Sequence, residues 1–415
     1  MAGLRASLCL LVASLALALT GCGGGGGGGP SGTGSTALAA FPGSLATLND
    51  SNVVPVLVES GPGRNVNIPY VTVTVCRPGT DHCQSIDHVL LDTGSTGLRL
   101  FASQLDPALA LPAQHIGDSS SISECAEFVS MLSWGPVHLA DVLMGGERAP
   151  AVPIQLMDAD FAPVPAACGG APRVASSAGS AGSGKRALNA NGILGVGLFI
   201  NDAQIYFDCP TPEDHCRIRP AGSQQVQNPV RYFSVNNNGV AIQLPALPAQ
   251  GVGQAQGYLV FGVGTQRNNQ LGVAHVVPVD PLTGYFTTVY QGRSLPLSSI
   301  DSGANGLYFD DPQASMTGCT QPAGFYCPQT EQQLSASIAL ANSSAEVKFQ
   351  IANANALFGP GSNLAFNNLG GSGGGSFFTW GLPFFFGRTV FAVIEGQPVR
   401  QGAATLTGPF NAFSD

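Results

Sequence analysis

A nine-residue segment occurs twice in this chain, and the repeat limits the fold more than any other feature of the sequence. Asp92-Thr93-Gly94-Ser95-Thr96-Gly97-Leu98-Arg99-Leu100 returns as Asp301-Ser302-Gly303-Ala304-Asn305-Gly306-Leu307-Tyr308-Phe309. Both copies read Asp, hydroxyl residue, Gly, two residues, Gly, Leu. Both follow an apolar approach (Val89-Leu90-Leu91; Leu297 to Ile300) and run on into an apolar strand. A lone Asp-Thr-Gly is a weak signal and would usually be a plain turn. Two copies, one in each half, are much harder to obtain by chance. The 55 glycines and 30 prolines among 415 residues argue against long helices. The 44% of hydrophobic residues supply core for more than one domain. The expected fold is mostly β with long loops.

The repeat also carries chemistry. Two such loops brought together about a pseudo-twofold axis set Asp92 against Asp301. Carboxylates about 3 Å apart cannot both ionise, so they share one proton. The ionised member takes a proton from a water held between them, while the protonated member polarises a carbonyl. Gly94 and Gly303 let backbone N–H groups come close to the carboxylates. Thr93 and Ser302 are placed to hydrogen-bond across the pair, and Ser95 to donate to the outer oxygen of Asp92.

Elsewhere the pattern is short and alternating. Tyr70–Val75 and Ile86–Leu91 predict a hairpin closed by Cys76 and Cys83. Tyr258–Phe261, Thr287–Tyr290 and Val347–Ile351 are further strands. The helices expected are short: Thr330–Ala341 and part of Phe199–Phe207. Residues 169–190 and Gly370–Ser376 are expected to be loops. Beyond Cys9 and Cys22, eight cysteines remain, an even number that suits an oxidising compartment. Cys76/Cys83, Cys209/Cys216 and Cys319/Cys327 each bracket a short polar loop, leaving Cys125 with Cys168. With no C-x-x-C pair and singly placed histidines, disulfides are preferred to zinc, and no metal site is expected.

These residues together resemble the pepsin-like aspartic proteases. The likeness extends to Asn191-Gly192-Ile193-Leu194-Gly195-Val196-Gly197, similar to the segment that crosses behind the first aspartate. Thr379-Trp380-Gly381-Leu382 with Phe384–Arg388 is similar to its partner in the second lobe. Val142–Gly146 and Tyr258–Gly262 also match, so the resemblance runs from about Ile68 to Gly396. More closely, the chain resembles a group of proteobacterial lipoproteins of unknown function that carry pepsin-like motifs. The resemblance implies a mostly β fold of two pseudo-twofold-related lobes with a cleft between them, and a catalytic pair Asp92 and Asp301 supported by Thr93, Gly94, Ser95, Ser302 and Gly303. It also implies an extended peptide or protein substrate, bound without any cofactor. Three positions depart from it. Ala304 stands where a Thr or Ser would donate to Asp301, so the pair should titrate higher. No Tyr occurs between Tyr70 and Tyr206, which leaves Phe128 or Trp134 to close the cleft in place of a flap tyrosine. Gly97 and Gly306 replace larger residues.

The first 22 residues read as an export signal: Arg5 is the only charge, and an apolar run extends from Leu8 to Leu19. That run is too short to span a bilayer. Leu19-Thr20-Gly21-Cys22 resembles a bacterial lipobox, which would make Cys22 a lipidated first residue; the alternative is ordinary cleavage near Gly21. Residues 23–48, opening with Gly23–Gly29, suit a flexible tether. The lobes are then expected over 49–243 and 244–415. The expected setting is the cell envelope, with Gly23 beside Cys22 favouring the outer membrane. The net charge of −9 carries no basic run, which argues against nucleic acid. Gly179–Lys185 lacks the Ser/Thr of a phosphate loop, since Arg186 stands there, and Gly370–Gly374 lacks a nucleophile-elbow context. His82, His88 and His215 read as surface residues. The function expected is that of a monomeric, envelope-anchored aspartic endopeptidase. The alternative is a non-catalytic lipoprotein of the same fold that binds envelope peptides or proteins or acts as a scaffold.

Overall fold

Both copies of the repeat fold alike. In this computed structural model, which describes residues 49–414 except 64, 118–119, 130, 169–187, 211–214, 221, 314–315, 360 and 362, strand Cys83–Asp92 enters the first copy and Thr96–Phe101 leaves it. Strand Gly192–Val196 is threaded between them. It runs parallel to the first (Asp92 opposite Gly195) and antiparallel to the second (Leu98 opposite Leu194). In the second half Arg293–Ile300 and Leu307–Phe309 flank the loop, with Phe377–Trp380 threaded between them. The senses are the same: Ile300 lies opposite Trp380 in parallel, and Leu307 opposite Trp380 in antiparallel. A strand surrounded in this way is covered on both faces and reads as a continuous apolar run rather than an alternating one. Every residue of Gly192–Val196 and of Thr96–Phe101 is accordingly buried.

The chain is mostly β and forms two lobes that share a sheet. Val53–Val58 pairs with Ala255–Phe261, which pairs with Gly239–Gln243. The order continues through Thr389–Val393 and Phe410–Ser414 to His275–Pro278. Gly239–Gln243 is therefore held on both sides by second-half strands, and the halves are knitted together behind the two aspartate loops. The aromatic run of the second half is core: Phe378 stacks on Trp380 at 4.2 Å and on Phe309 at 4.8 Å. Such pairs add roughly 0.5–1.5 kcal/mol each beyond area burial.

All four expected disulfides are present: Cys76–Cys83, Cys125–Cys168, Cys209–Cys216 and Cys319–Cys327. Cys76 and Cys83 face each other across the hairpin Pro69–Cys76/Cys83–Asp92. Cys125–Cys168 closes 43 residues and removes the most chain entropy from the unfolded state.

Two expectations are corrected. Thr330–Ala341 is not a helix: Gln332–Ala339 is a strand paired along its whole length with Ser344–Ile351. Its Gln, Leu and Ala favour helix, but the hairpin partner supplies a full ladder of hydrogen bonds, and pairing overrides a propensity worth a few tenths of a kcal/mol per residue. Nor does a helix form within Phe199–Phe207, where Ile205–Pro210 pairs with Ser120–Glu127. Ala354–Leu357 and Leu382–Phe385 are α-helices of a single turn each. The segments expected to be a leader and a tether, Cys22, and the phosphate-loop-like Gly179–Lys185 lie outside the described residues.

Candidate active site

The two aspartates come to one point because the loops that carry them are bonded into each other. Thr93 N–H donates to Ser302 Oγ at 3.0 Å, and Ser302 N–H donates to Thr93 Oγ1 at 3.0 Å. Each hydroxyl then donates into the strand that leads to the opposite aspartate: Ser302 Oγ to the Leu91 carbonyl at 2.7 Å, Thr93 Oγ1 to the Ile300 carbonyl at 3.3 Å. All four bonds link residues more than two hundred positions apart. Thr93 and Ser302 are buried, where a lost partner leaves a donor unsatisfied.

The glycines are needed for approach. A Cβ on Gly94 would sit 2.6 Å from Cγ of Asp301, and one on Gly303 would sit 2.7 Å from Oδ1 of Asp92. Each carboxyl group thus rests on the glycine of the other loop, closer than any side chain allows. The donors are partly symmetric. Gly94 N–H reaches Asp92 Oδ1 at 2.8 Å, and Gly303 N–H reaches Asp301 Oδ1 at 2.8 Å. Ser95 Oγ donates to Asp92 Oδ2 at 2.5 Å, whereas the corresponding residue in the second loop is Ala304, which has no hydroxyl. The Asp301 carboxyl is pushed well above the ordinary carboxylate range. Burial is the main cause, followed by the charge of Asp92 and a hydrogen bond with it; the N–H groups of Gly303 and Ala304 oppose the rise. One carboxyl of the pair therefore holds a proton where an isolated one would have lost it.

The missing hydroxyl gives a direct prediction. In Ala304→Ser, a new donor favours ionised Asp301 and lowers its titration. Any activity that needs protonated Asp301 then loses its alkaline limb at lower pH than in the wild type. A pH profile of the variant superimposable on that of the wild type would remove Ala304 from control of the pair.

The two flap candidates differ. Trp134 is fully buried, donates its indole N–H to the Ala162 carbonyl at 2.9 Å and meets Phe207 edge-on at 5.3 Å. It is a core residue and does not close the cleft. The hairpin Ser120–Glu127/Leu132–Met144 turns at Phe128, whose N–H donates to the Met131 carbonyl. Phe128 is half-buried beside Ile68, Tyr70, Phe101 and Met131, while Val129 beside it is fully exposed.

The sequence did not foretell the group behind the first loop. Arg99, 1% exposed, donates to Glu124 Oε1 and to Asp202 Oδ2, both at 2.5 Å. Tyr206 Oη donates to Asp202 Oδ1 at 2.7 Å. The Arg99 guanidinium lies 5.5 Å from the Phe128 ring, in cation–π range. Burial and the neighbouring Glu124 push the Asp202 carboxyl upward, with Arg99 opposing. One cation thus joins the strand after Asp92 to the hairpin strand that carries Glu124. A charged residue inside the otherwise apolar run Gly97–Phe101 was the available signal.

Fold and site define a two-lobed β protein with an aspartate pair where the lobes meet, Asp92 buried and Asp301 partly so. Residues 48–413 match the family described as "Protein of unknown function (DUF3443)", and the chain belongs to that family. Comparison with curated proteins gives no match. Among solved structures, the chain is similar to the aspartic proteinase from Irpex lacteus, with 15% identity, a TM-score of 0.48, and coverage of 87% of this chain and 96% of that one.

Proposed function

We propose that this protein is an aspartic endopeptidase of the bacterial cell envelope, held to a membrane by a lipid on Cys22. The observation that carries the proposal is the reciprocal seating of Asp92 and Asp301 on each other's glycines, where burial and the charge of Asp92 push the Asp301 carboxyl upward. Two donors, the Gly94 N–H and the Ser95 hydroxyl, converge on Asp92. Asp92 takes a proton from a water lying between the carboxyls as the water oxygen attacks the scissile carbonyl carbon. Asp301 gives its proton to the carbonyl oxygen. The tetrahedral intermediate collapses with proton transfer to the leaving nitrogen, the C–N bond breaks, and no bond to the protein forms. An extended substrate strand would supply backbone hydrogen bonds to the cleft.

The test is a mixed peptide library incubated with the protein from about pH 3 to about pH 7, a range that brackets carboxyl pairs of this kind. Hydrolysis in ¹⁸O-water should place a single heavy oxygen in each new carboxyl group. A library left intact over the whole range would overturn the proposal. It would turn attention to the second reading, a peptide-binding or scaffold lipoprotein. That reading is favoured by a hairpin tip that exposes Val129 beside the half-buried Phe128.

A further inference from the structure

The connection from Val53–Val58 to Pro69–Cys76 does not take the shortest route. It leaves the first lobe, touches the second beside Asp301, and returns. Asn67 is the fixed point of this excursion. It is buried, takes a left-handed backbone (φ 57°) that Asn tolerates better than most residues, and uses its polar groups on the second lobe. Its N–H donates to the Leu364 carbonyl at 2.8 Å. Its side-chain amide donates to the carbonyls of Asn305 and Phe366, both at 2.9 Å, and accepts from Phe366 N–H at 2.7 Å. Val66, beside it, is buried in an apolar cluster whose other members (Ala354, Leu357, Phe366 and Leu369 among them) all belong to the second half. On the other side Ile68 joins the cluster of Tyr70, Phe101 and Met131, against which Phe128 of the hairpin turn packs. Three consecutive residues therefore run from beneath the hairpin tip to the loop that carries the second aspartate.

Their position bounds the space beside the aspartate pair. Asn305 lies four residues past Asp301. Four residues of chain span at most about 14 Å even when fully extended, so Asn67 lies within that reach plus one hydrogen bond. A substrate strand advances ~3.3 Å per residue, so at most about five of its residues fit between the pair and Asn67. On that side of the pair the Asn305 carbonyl already accepts from the Asn67 amide.

We infer that Val66, Asn67 and Ile68 wall off one end of the substrate groove, so that the protein cuts within about five residues of one end of a peptide chain and not in its interior. The inference rests on the peptide hydrolysis proposed above and replaces cleavage anywhere along a chain with cleavage of chains that have a free end close to the cleaved bond. No group moves and no cofactor is required: the wall acts by exclusion, and specificity follows from the chains it rejects.

The experiment uses the full-length protein and one cleavable peptide, lengthened by about ten residues at its N-terminus, its C-terminus or both, enough to exceed the space available. Lengthening one end should leave kcat/KM nearly unchanged; lengthening the other should lower it at the original bond at least about ten-fold, with new cuts near that end. Equal cleavage of the doubly lengthened peptide would overturn the wall and leave hydrolysis standing. In Asn67→Ala combined with Val66→Ser, the ratio of interior to near-terminal cuts should rise about ten-fold. If no peptide of any length is cut, the hydrolytic function fails, and the same series is read by fluorescence anisotropy as binding. One-sided dependence on length then still supports the wall; equal binding of all lengths, or no binding, overturns it.

Discussion

Asp301→Asn should stop peptide hydrolysis, with kcat/KM falling by roughly 10²–10⁴-fold, the usual worth of a positioned acid or base. Asp92→Asn should do the same. Asn nearly matches Asp in shape, and the bonds that lock the loops run through Thr93 and Ser302 and not through the carboxyls. Folding should therefore survive both changes. Stability gives a second and opposite signature. Burial and the charge of Asp92 raise the Asp301 carboxyl above its unfolded value. Its protonated form favours the folded state below the ordinary carboxyl value, and that contribution is lost as pH rises through the raised one. Asp301→Asn carries no such penalty, so its stability advantage over the wild type should grow from acid toward neutral pH. Hydrolysis retained in either variant would exclude the pair from the chemistry. Loss of activity with a collapse in stability would instead mark the carboxyls as structural.

The largest loss of stability is expected at Arg99, away from the reacting atoms. Arg99→Met removes the only cation bonded to Glu124 and Asp202 among the described residues and leaves two buried carboxyls facing each other. Removing one partner of a buried ion pair costs about 3–5 kcal/mol, a large part of a domain's stability. Urea denaturation at neutral pH measures the loss directly. The deficit should shrink on acidification, because protons can then neutralise the carboxyls that Arg99 no longer balances. Replacing all three residues together, Arg99→Met with Glu124→Leu and Asp202→Leu, should recover most of the loss, since apolar residues of similar volume carry no desolvation cost. A variant as stable as the wild type would mean that water or movement of Glu124 relieves the charge. If stability recovers but hydrolysis does not, the cluster also positions the Phe128 hairpin.

The sequence by itself determined whatever depends on neighbours along the chain. The two Asp-hydroxyl-Gly loops were legible because each is a local pattern that needs particular residues at fixed spacing. The hairpin at Cys76–Cys83 and the short-spaced disulfides were legible because those cysteines cannot lie far apart. Gln332–Ala339 marks the limit: its residues suit a helix, and only pairing with Ser344–Ile351 makes it a strand. Trp134 shows the same limit, since an aromatic near a hairpin turn can point to core or to cleft, and the Ala162 carbonyl decided for core. Tertiary structure alone decided the rest. Arg99 meets partners 25 and 103 residues away, and Asn67 meets partners 238 and 299 residues away. A buried polar group is fixed by whichever partner the fold brings within about 3 Å, and no local pattern records which one that will be.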